Sequence, residues 1–142
     1  MLNILLDTDT LVALTKEDDS NRQKAISIYQ KLKSKGVSFY LSPFTTAETA
    51  TVLSYKLSHK EAKQFLKEAR KTDLPILSLE ENALNLADSW FNKQNKKRTS
   101  YFDCYNMALL ERYRKQLNAI FSFDGVYKRN GFRVADEIIL GN

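Results

Sequence analysis

A chain of 142 residues has room for one hydrophobic core, so residues 1–142 are expected to form a single domain. A hydrophobic share of 43% excludes disorder by composition, and one cysteine (Cys104) with one histidine (His59) excludes a disulfide framework and a zinc-ligand cluster. A net charge of +5 and a pI near 9.3 favour a polyanionic partner such as nucleic acid.

No apolar run is long enough to span a bilayer, and no basic segment precedes the N-terminal apolar run. With an unpaired cysteine, the expectation is a cytoplasmic protein without a membrane partner. No repeat or low-complexity linker interrupts the chain.

Ile4, Leu5 and Leu6 lack polar alternation, the pattern of a strand buried on both faces of a parallel sheet. Asp7 follows at the carboxyl end of that strand, where open α/β folds bind ligands. Asp7 or Asp9 would equally serve to cap the next helix. A short helical turn over Thr10–Leu14 leads to Ser20, an expected N-cap, and to an amphipathic helix ending at Gly36.

Val37–Leu41 reads as a second strand, and Ser42-Pro43 breaks it. The helix from about Phe44 to Lys56 is expected to bury Ala47, Ala50 and Leu53, with Glu48 in its first turns. Ser58 and Glu61 form a capping box for the next helix, whose apolar stripe is Ala62, Phe65, Leu66 and Ala69. Leu74–Leu77 is expected as a short third strand, Ser78 to Glu81 as a second capping box, and Trp90 as a core residue of the helix that follows.

The most basic stretch, Lys93 to Arg98, immediately precedes Asp103, and Thr99 or Ser100 can cap the helix that carries that acid. Lys96, Lys97 and Arg98 would deliver phosphate contacts beside Asp103, although such a loop is commonly only a solvated face. Cys104 reads as structural. Ala119–Phe123 is a fourth strand followed by Asp124 and Gly125; Arg129-Asn130-Gly131 is a turn, and Val134 begins a final short strand. Alternating strands and helices predict an α/β fold: a three-layer α/β/α sandwich around a mainly parallel sheet of four to five strands.

Four acids thus share one edge. Asp7 and Asp124 follow strands, and Glu48 and Asp103 open helices. Converging carboxylates raise one another's pKa unless a cation sits between them, and oxygen donors suit hard divalent ions, Mg²⁺ or Mn²⁺. Such a metal lowers the pKa of water and polarises phosphoryl oxygens, the chemistry of phosphodiester hydrolysis.

Four segments carry a family resemblance: Leu5-Leu6-Asp7-Thr8-Asp9-Thr10-Leu11-Val12-Ala13-Leu14, Thr46-Ala47-Glu48, Tyr101-Phe102-Asp103-Cys104, and Ile120-Phe121-Ser122-Phe123-Asp124-Gly125. In the order and spacing of these acids the chain resembles the PIN-domain nucleases, most closely the VapC-type toxins of toxin–antitoxin pairs. The resemblance implies a metal-dependent endoribonuclease in which Asp7, Glu48, Asp103 and Asp124 form the catalytic quartet around one or two Mg²⁺ or Mn²⁺ ions. Asp7 and Asp103 would be direct ligands, with Asp124 and Glu48 completing the shell directly or through water. A metal-activated water would leave a 5′-phosphate and a 3′-hydroxyl. Ser122 matches a hydroxyl residue that orients the site. The same resemblance implies a homodimer and a cognate antitoxin protein as partner.

Two positions depart from the family pattern. Asp9 stands where Ser, Asn or Thr is more usual, either as a fifth acid supporting the site or as a helix cap, and Tyr127 stands where Phe is expected. Two other readings start from the same residues. Asp7-Thr8-Asp9 also fits the nucleophile motif of haloacid-dehalogenase-like phosphatases, which would not need Glu48. Alternatively, the acids are only caps and the chain a non-catalytic module that binds RNA or protein.

Overall fold

The structure is a computed structural model, and it describes residues 1–140. Its sheet has three parallel strands, β1 (Asn3–Leu6), β2 (Ser38–Tyr40) and β3 (Ala119–Phe121), in the order β2-β1-β3. The apolar run places β1 at the centre, with Ile4 and Leu5 sealed from solvent. Parallel pairing needs a crossover between neighbours, and helices supply it: α1 (Thr8–Thr15) and α2 (Arg22–Ser34) lead from β1 to β2. After β2 come α3 (Thr45–Lys56), α4 (His59–Lys71), a 3₁₀ turn at Glu81–Ala83, α5 (Leu84–Lys93) and α6 (Tyr101–Arg112). Beyond β3 lie α7 (Val126–Arg129) and α8 (Ala135–Leu140).

Side-chain alternation along the strands divides the core into two layers. Leu5 and Ile120 point to one face, where Ala87, Met107, Leu109 and Tyr127 of α5, α6 and α7 cover them. Ile4, Leu6 and Phe121 point to the other, against Ile28 and Leu32 of α2 and Ile138 of α8. A third cluster joins α1, α3 and α4 through Val12, Leu53 and Ala62. This is the expected α/β/α sandwich.

The sheet is narrower than the four to five strands expected. Leu74–Leu77 contributes only a parallel bridge, Leu41 to Ile76, because Pro75 has no N–H to extend the ladder. Val134 likewise makes one bridge to Ile120, and the chain then turns directly into α8 instead of continuing as a strand.

Local signals succeed where one side chain decides. The Ser58 hydroxyl accepts from Glu61 N at 3.1 Å, and Gly36 takes a left-handed φ of 72° just past α2. They fail where the tertiary structure has two options. Asn21, not Ser20, occupies the cap position of α2, and its N–H is held by Asp19 Oδ1 at 2.8 Å. Ser78 caps nothing, because the chain stays extended to Glu80 before the 3₁₀ turn. In α3 the buried face is Thr45, Thr49 and Leu53, while Ala47 is exposed. The threonines tolerate burial because their hydroxyls find partners: Thr49 Oγ1 donates to Thr45 O at 2.7 Å, and Thr45 Oγ1 lies 2.9 Å from Ser42 Oγ.

Candidate metal centre

The carboxyl edge of the sheet brings the acids together. Asp7 N donates to Phe121 O at 3.1 Å, continuing the β1–β3 ladder one residue past the strand and holding Asp7 beside the end of β3. The same residue caps α1, since Thr8 N donates to Asp7 Oδ1 at 2.8 Å. Capping and site formation, alternatives in the sequence, are therefore both properties of Asp7.

Asp7 is only 4% exposed, yet its carboxylate meets four donors. Oδ1 receives Thr8 N and, at 3.2 Å, Asn106 Nδ2. Oδ2 faces Ser122 Oγ at 2.9 Å and Tyr127 Oη at 2.9 Å. This satisfies a buried acid that lacks a basic partner. Burial, then the charges of Asp9 and Asp103, push its pKa well above the usual carboxylate range.

Asp9 lies in the first turn of α1 but is not its cap. Its Oδ2 accepts from Phe123 N at 2.8 Å and lies 3.1 Å from Ser122 Oγ, which ties α1 to the loop after β3. Burial raises its pKa too. Ser122 Oγ in turn accepts from Asp124 N at 3.1 Å, and Asp124 Oδ1 accepts from Val126 N at 2.9 Å, fixing the start of α7.

Asp103 enters from α6, whose N-terminus is capped by Ser100 accepting from Phe102 N at 3.1 Å. Asp103 Oδ1 lies 3.1 Å from Tyr127 Oη. Burial, reinforced by the charge of Asp124, pushes the Asp103 carboxyl up to about 7. Glu48 enters from α3, and its Oε1 accepts from Thr8 Oγ1 at 2.6 Å. Cys104, next to Asp103, turns into the core, and burial pushes its thiol up to about 11, which suits the structural role expected of it.

Asp7, Asp9, Glu48, Asp103 and Asp124 line one open pocket of about 500 Å³, together with a sixth acid, Asp19. None of them takes part in an ion pair among the described residues. A separate apolar groove of about 310 Å³, lined by Leu41, Phe65 and Ile76 among others, contains none of the six.

The donor set is oxygen throughout and strongly anionic, which fits a hard divalent cation better than a soft one. Among the described residues, no group of three or more Asp, Glu, His or Cys side chains is placed to hold a metal ion together. The fit is therefore to an ion held by one or two carboxylates that keeps several of its waters, the usual habit of Mg²⁺.

Of the three basic residues expected at the site, only Arg98 lines the pocket, reached through a left-handed backbone turn at φ 69°. Lys96 and Lys97 stand exposed on the loop outside the lining. The sequence reading missed Lys56, which lines the pocket with Glu48 and Val52. Their spacing of four along α3 was the available signal. It also missed Asn106, three residues after Asp103 and so on the same side of α6.

Comparison with known proteins bears on the fold and the family. No curated protein matches the chain. The crystal structure of the Mycobacterium tuberculosis toxin VapC20, described as cleaving the sarcin–ricin loop, is similar in fold. Its TM-score is 0.76 at 21% identity, covering 91% of this chain and 95% of that one. The structure of FitAB bound to a DNA fragment is similar as well, with a TM-score of 0.64 at 18% identity and 92% of each chain covered. The sequence profile of the PIN domain matches residues 4–133, a span that contains every acid of the pocket. The chain belongs to the PIN-domain family.

Proposed function

We propose that this protein is a metal-dependent endoribonuclease, the toxin of a type II toxin–antitoxin pair. The observation that carries the reading is the pocket of six carboxylates without ion pairs among the described residues, five of them gathered at the carboxyl edge of a PIN-family sheet. In this reading Asp7 and Asp103 would hold the Mg²⁺ or Mn²⁺ ion, and Asp124 and Glu48, on the same lining, would complete the shell directly or through water. The ion would supply charge neutralisation at the phosphoryl oxygens and an acidified water.

The chain's own residues do the rest. Ser122 fixes the loop that carries Asp124 against Asp7 and Asp9. Thr8 holds Glu48 at the rim of the pocket. Lys56 and Arg98 place two cations on the lining, where they would take the phosphates flanking the cleaved bond. The likeness to a toxin described as cleaving the sarcin–ricin loop supports a structured RNA substrate and, with the toxin role, a cognate antitoxin. A homodimer is part of the same proposal. No helix among the described residues is long and apolar enough to cross a membrane.

A phosphatase mechanism with Asp7 as nucleophile has less support. The chain matches the PIN-domain profile over residues 4–133, and a phosphatase of that class gives no role to Glu48, which stands on the lining of the same pocket.

Incubation of the protein with end-labelled structured RNAs, including a sarcin–ricin stem-loop, tests the proposal. Cleavage is expected with Mn²⁺ or Mg²⁺, is lost in EDTA, and leaves 5′-phosphate ends. Cleavage that persists in EDTA contradicts it. Lys56→Ala and Arg98→Ala are each expected to weaken RNA binding and to reduce the slope of log K against log salt by about 1, the signature of one lost phosphate contact. Lys97→Ala, outside the lining, is expected to have the smaller effect. Filter binding over a salt series measures all three, and equal slopes in every variant would place the RNA elsewhere.

A further inference from the structure

The Tyr127 ring is completely buried, yet its hydroxyl lies between two acids of the pocket: 2.9 Å from Asp7 Oδ2 and 3.1 Å from Asp103 Oδ1. A phenylalanine would fill the same hydrophobic space beside Met107 and Leu109, so packing alone does not call for the oxygen. Burying a hydroxyl costs free energy unless it is bonded, and here its bonds are to the acids.

Asn106 braces the arrangement. Its Nδ2 donates to Asp7 Oδ1 at 3.2 Å and to Tyr127 Oη at 3.1 Å, using both amide protons. The amide nitrogen faces Asp7 Oδ1, the oxygen that also accepts from Thr8 N. Asn106 Oδ1 is left buried without a hydrogen-bond partner. The side chain thus gives up an acceptor bond to keep both donors on Tyr127 and Asp7.

One hydroxyl has one proton and two carboxylates to choose between. Ser122 is in the same position between Asp7 and Asp9. Were a cation to engage Asp7, the Tyr127 proton could turn to Asp103 and the Ser122 proton to Asp9.

We propose that Tyr127, braced by Asn106, is a positioning residue that holds the Asp7 and Asp103 carboxylates in register for a divalent cation. This rests on the metal-centre reading above and goes beyond it by assigning the spacing of the two ligands to a residue that does not itself bind metal. Reorganisation that the site need not undergo is affinity retained, and outer partners of this kind change metal affinity by about 10–100-fold.

The test is calorimetric titration of Mn²⁺ into the wild-type 142-residue chain, Tyr127→Phe, Asn106→Ala and the double variant, with thermal unfolding in EDTA alongside. Tyr127→Phe is expected to weaken Mn²⁺ binding about 10-fold. It should also raise the Mn²⁺ concentration for half-maximal RNA cleavage by a similar factor, with a smaller fall in turnover at saturating Mn²⁺. Asn106→Ala should act in the same direction, and the double variant should fall short of the sum, because both act on one network. Unchanged Mn²⁺ affinity in a folded Tyr127→Phe, whatever its thermal stability, overturns the proposal. Should Tyr127→Phe not fold, unchanged affinity in Asn106→Ala overturns it. A wild type that binds no Mn²⁺ removes the metal-centre reading itself, an outcome distinct from equal binding by wild type and variant.

Discussion

Asp7→Asn is expected to lower metal-dependent RNA cleavage by about 1,000-fold or more, equivalent to about 4 kcal/mol of barrier, while the chain still folds. The expectation follows from where Asp7 stands. It is the residue onto which the end of β1, the cap of α1, the loop after β3 and the α6–α7 pair Asn106–Tyr127 all converge. An amide keeps the shape and still accepts from Thr8 N through its oxygen, so helix capping is largely preserved. It loses the charge, and its NH₂ faces donors where an acceptor is needed. Cleavage rates under single-turnover conditions, with circular dichroism as the control for folding, measure this. A folded Asp7→Asn that retains activity within about 10-fold of the wild type would remove Asp7 from the metal site.

The second large effect is on stability against pH in the absence of metal. In the folded chain Asp103 keeps its proton up to about 7, whereas in the unfolded chain it loses it near the ordinary value of about 3.9. Between those values the folded state binds more protons, so unfolding free energy falls as pH rises. The contribution is fully present below the ordinary value and is lost as pH rises through about 7. Asp7 and Asp9, whose carboxyls are also raised by burial, act in the same direction.

In EDTA the melting temperature is therefore expected to fall between pH 5 and pH 8. Asp103→Asn removes one buried charge and should raise the melting temperature at pH 8 by about 5 °C, with little change at pH 5. A saturating divalent cation should reverse much of the fall in the wild type, because it binds the folded site alone. Scanning calorimetry over that range measures all of this. A wild type whose melting temperature is flat or rising from pH 5 to pH 8 in EDTA contradicts the repulsion argued for the cluster.

The acids were legible in the sequence because each announces itself locally: Asp7 and Asp124 end apolar runs, and Glu48 and Asp103 sit just inside helix starts. A parallel α/β order then places all four on one edge without knowledge of any contact. What holds them there was not legible. Thr8 meets Glu48 across 40 positions and Ser122 meets Asp7 across 115, and no local pattern encodes such pairings. Tyr127 appeared only as a mild departure from a family pattern, and its hydroxyl acquires meaning once α7 carries it under Asp7 and Asp103.

The errors in the fold have a similar origin. Residues 74–77 have strand-like composition, but Pro75 limits pairing to a bridge. The buried threonines of α3 look polar until their hydroxyls find Ser42 and the helix backbone. The four-residue helix α7 is too short to set up a period, so only the turn after it was visible.

The account stands most directly on whether the pocket takes a divalent ion. Mn²⁺ binding to the RNA-free protein at pH 8, followed by electron paramagnetic resonance of the free ion, measures that without a substrate. The account predicts saturable uptake of one or two ions by the wild type and loss of that uptake in Asp7→Asn. Wild-type protein that leaves the Mn²⁺ signal unchanged, or an Asp7→Asn variant that binds the ion as well as the wild type, would contradict it.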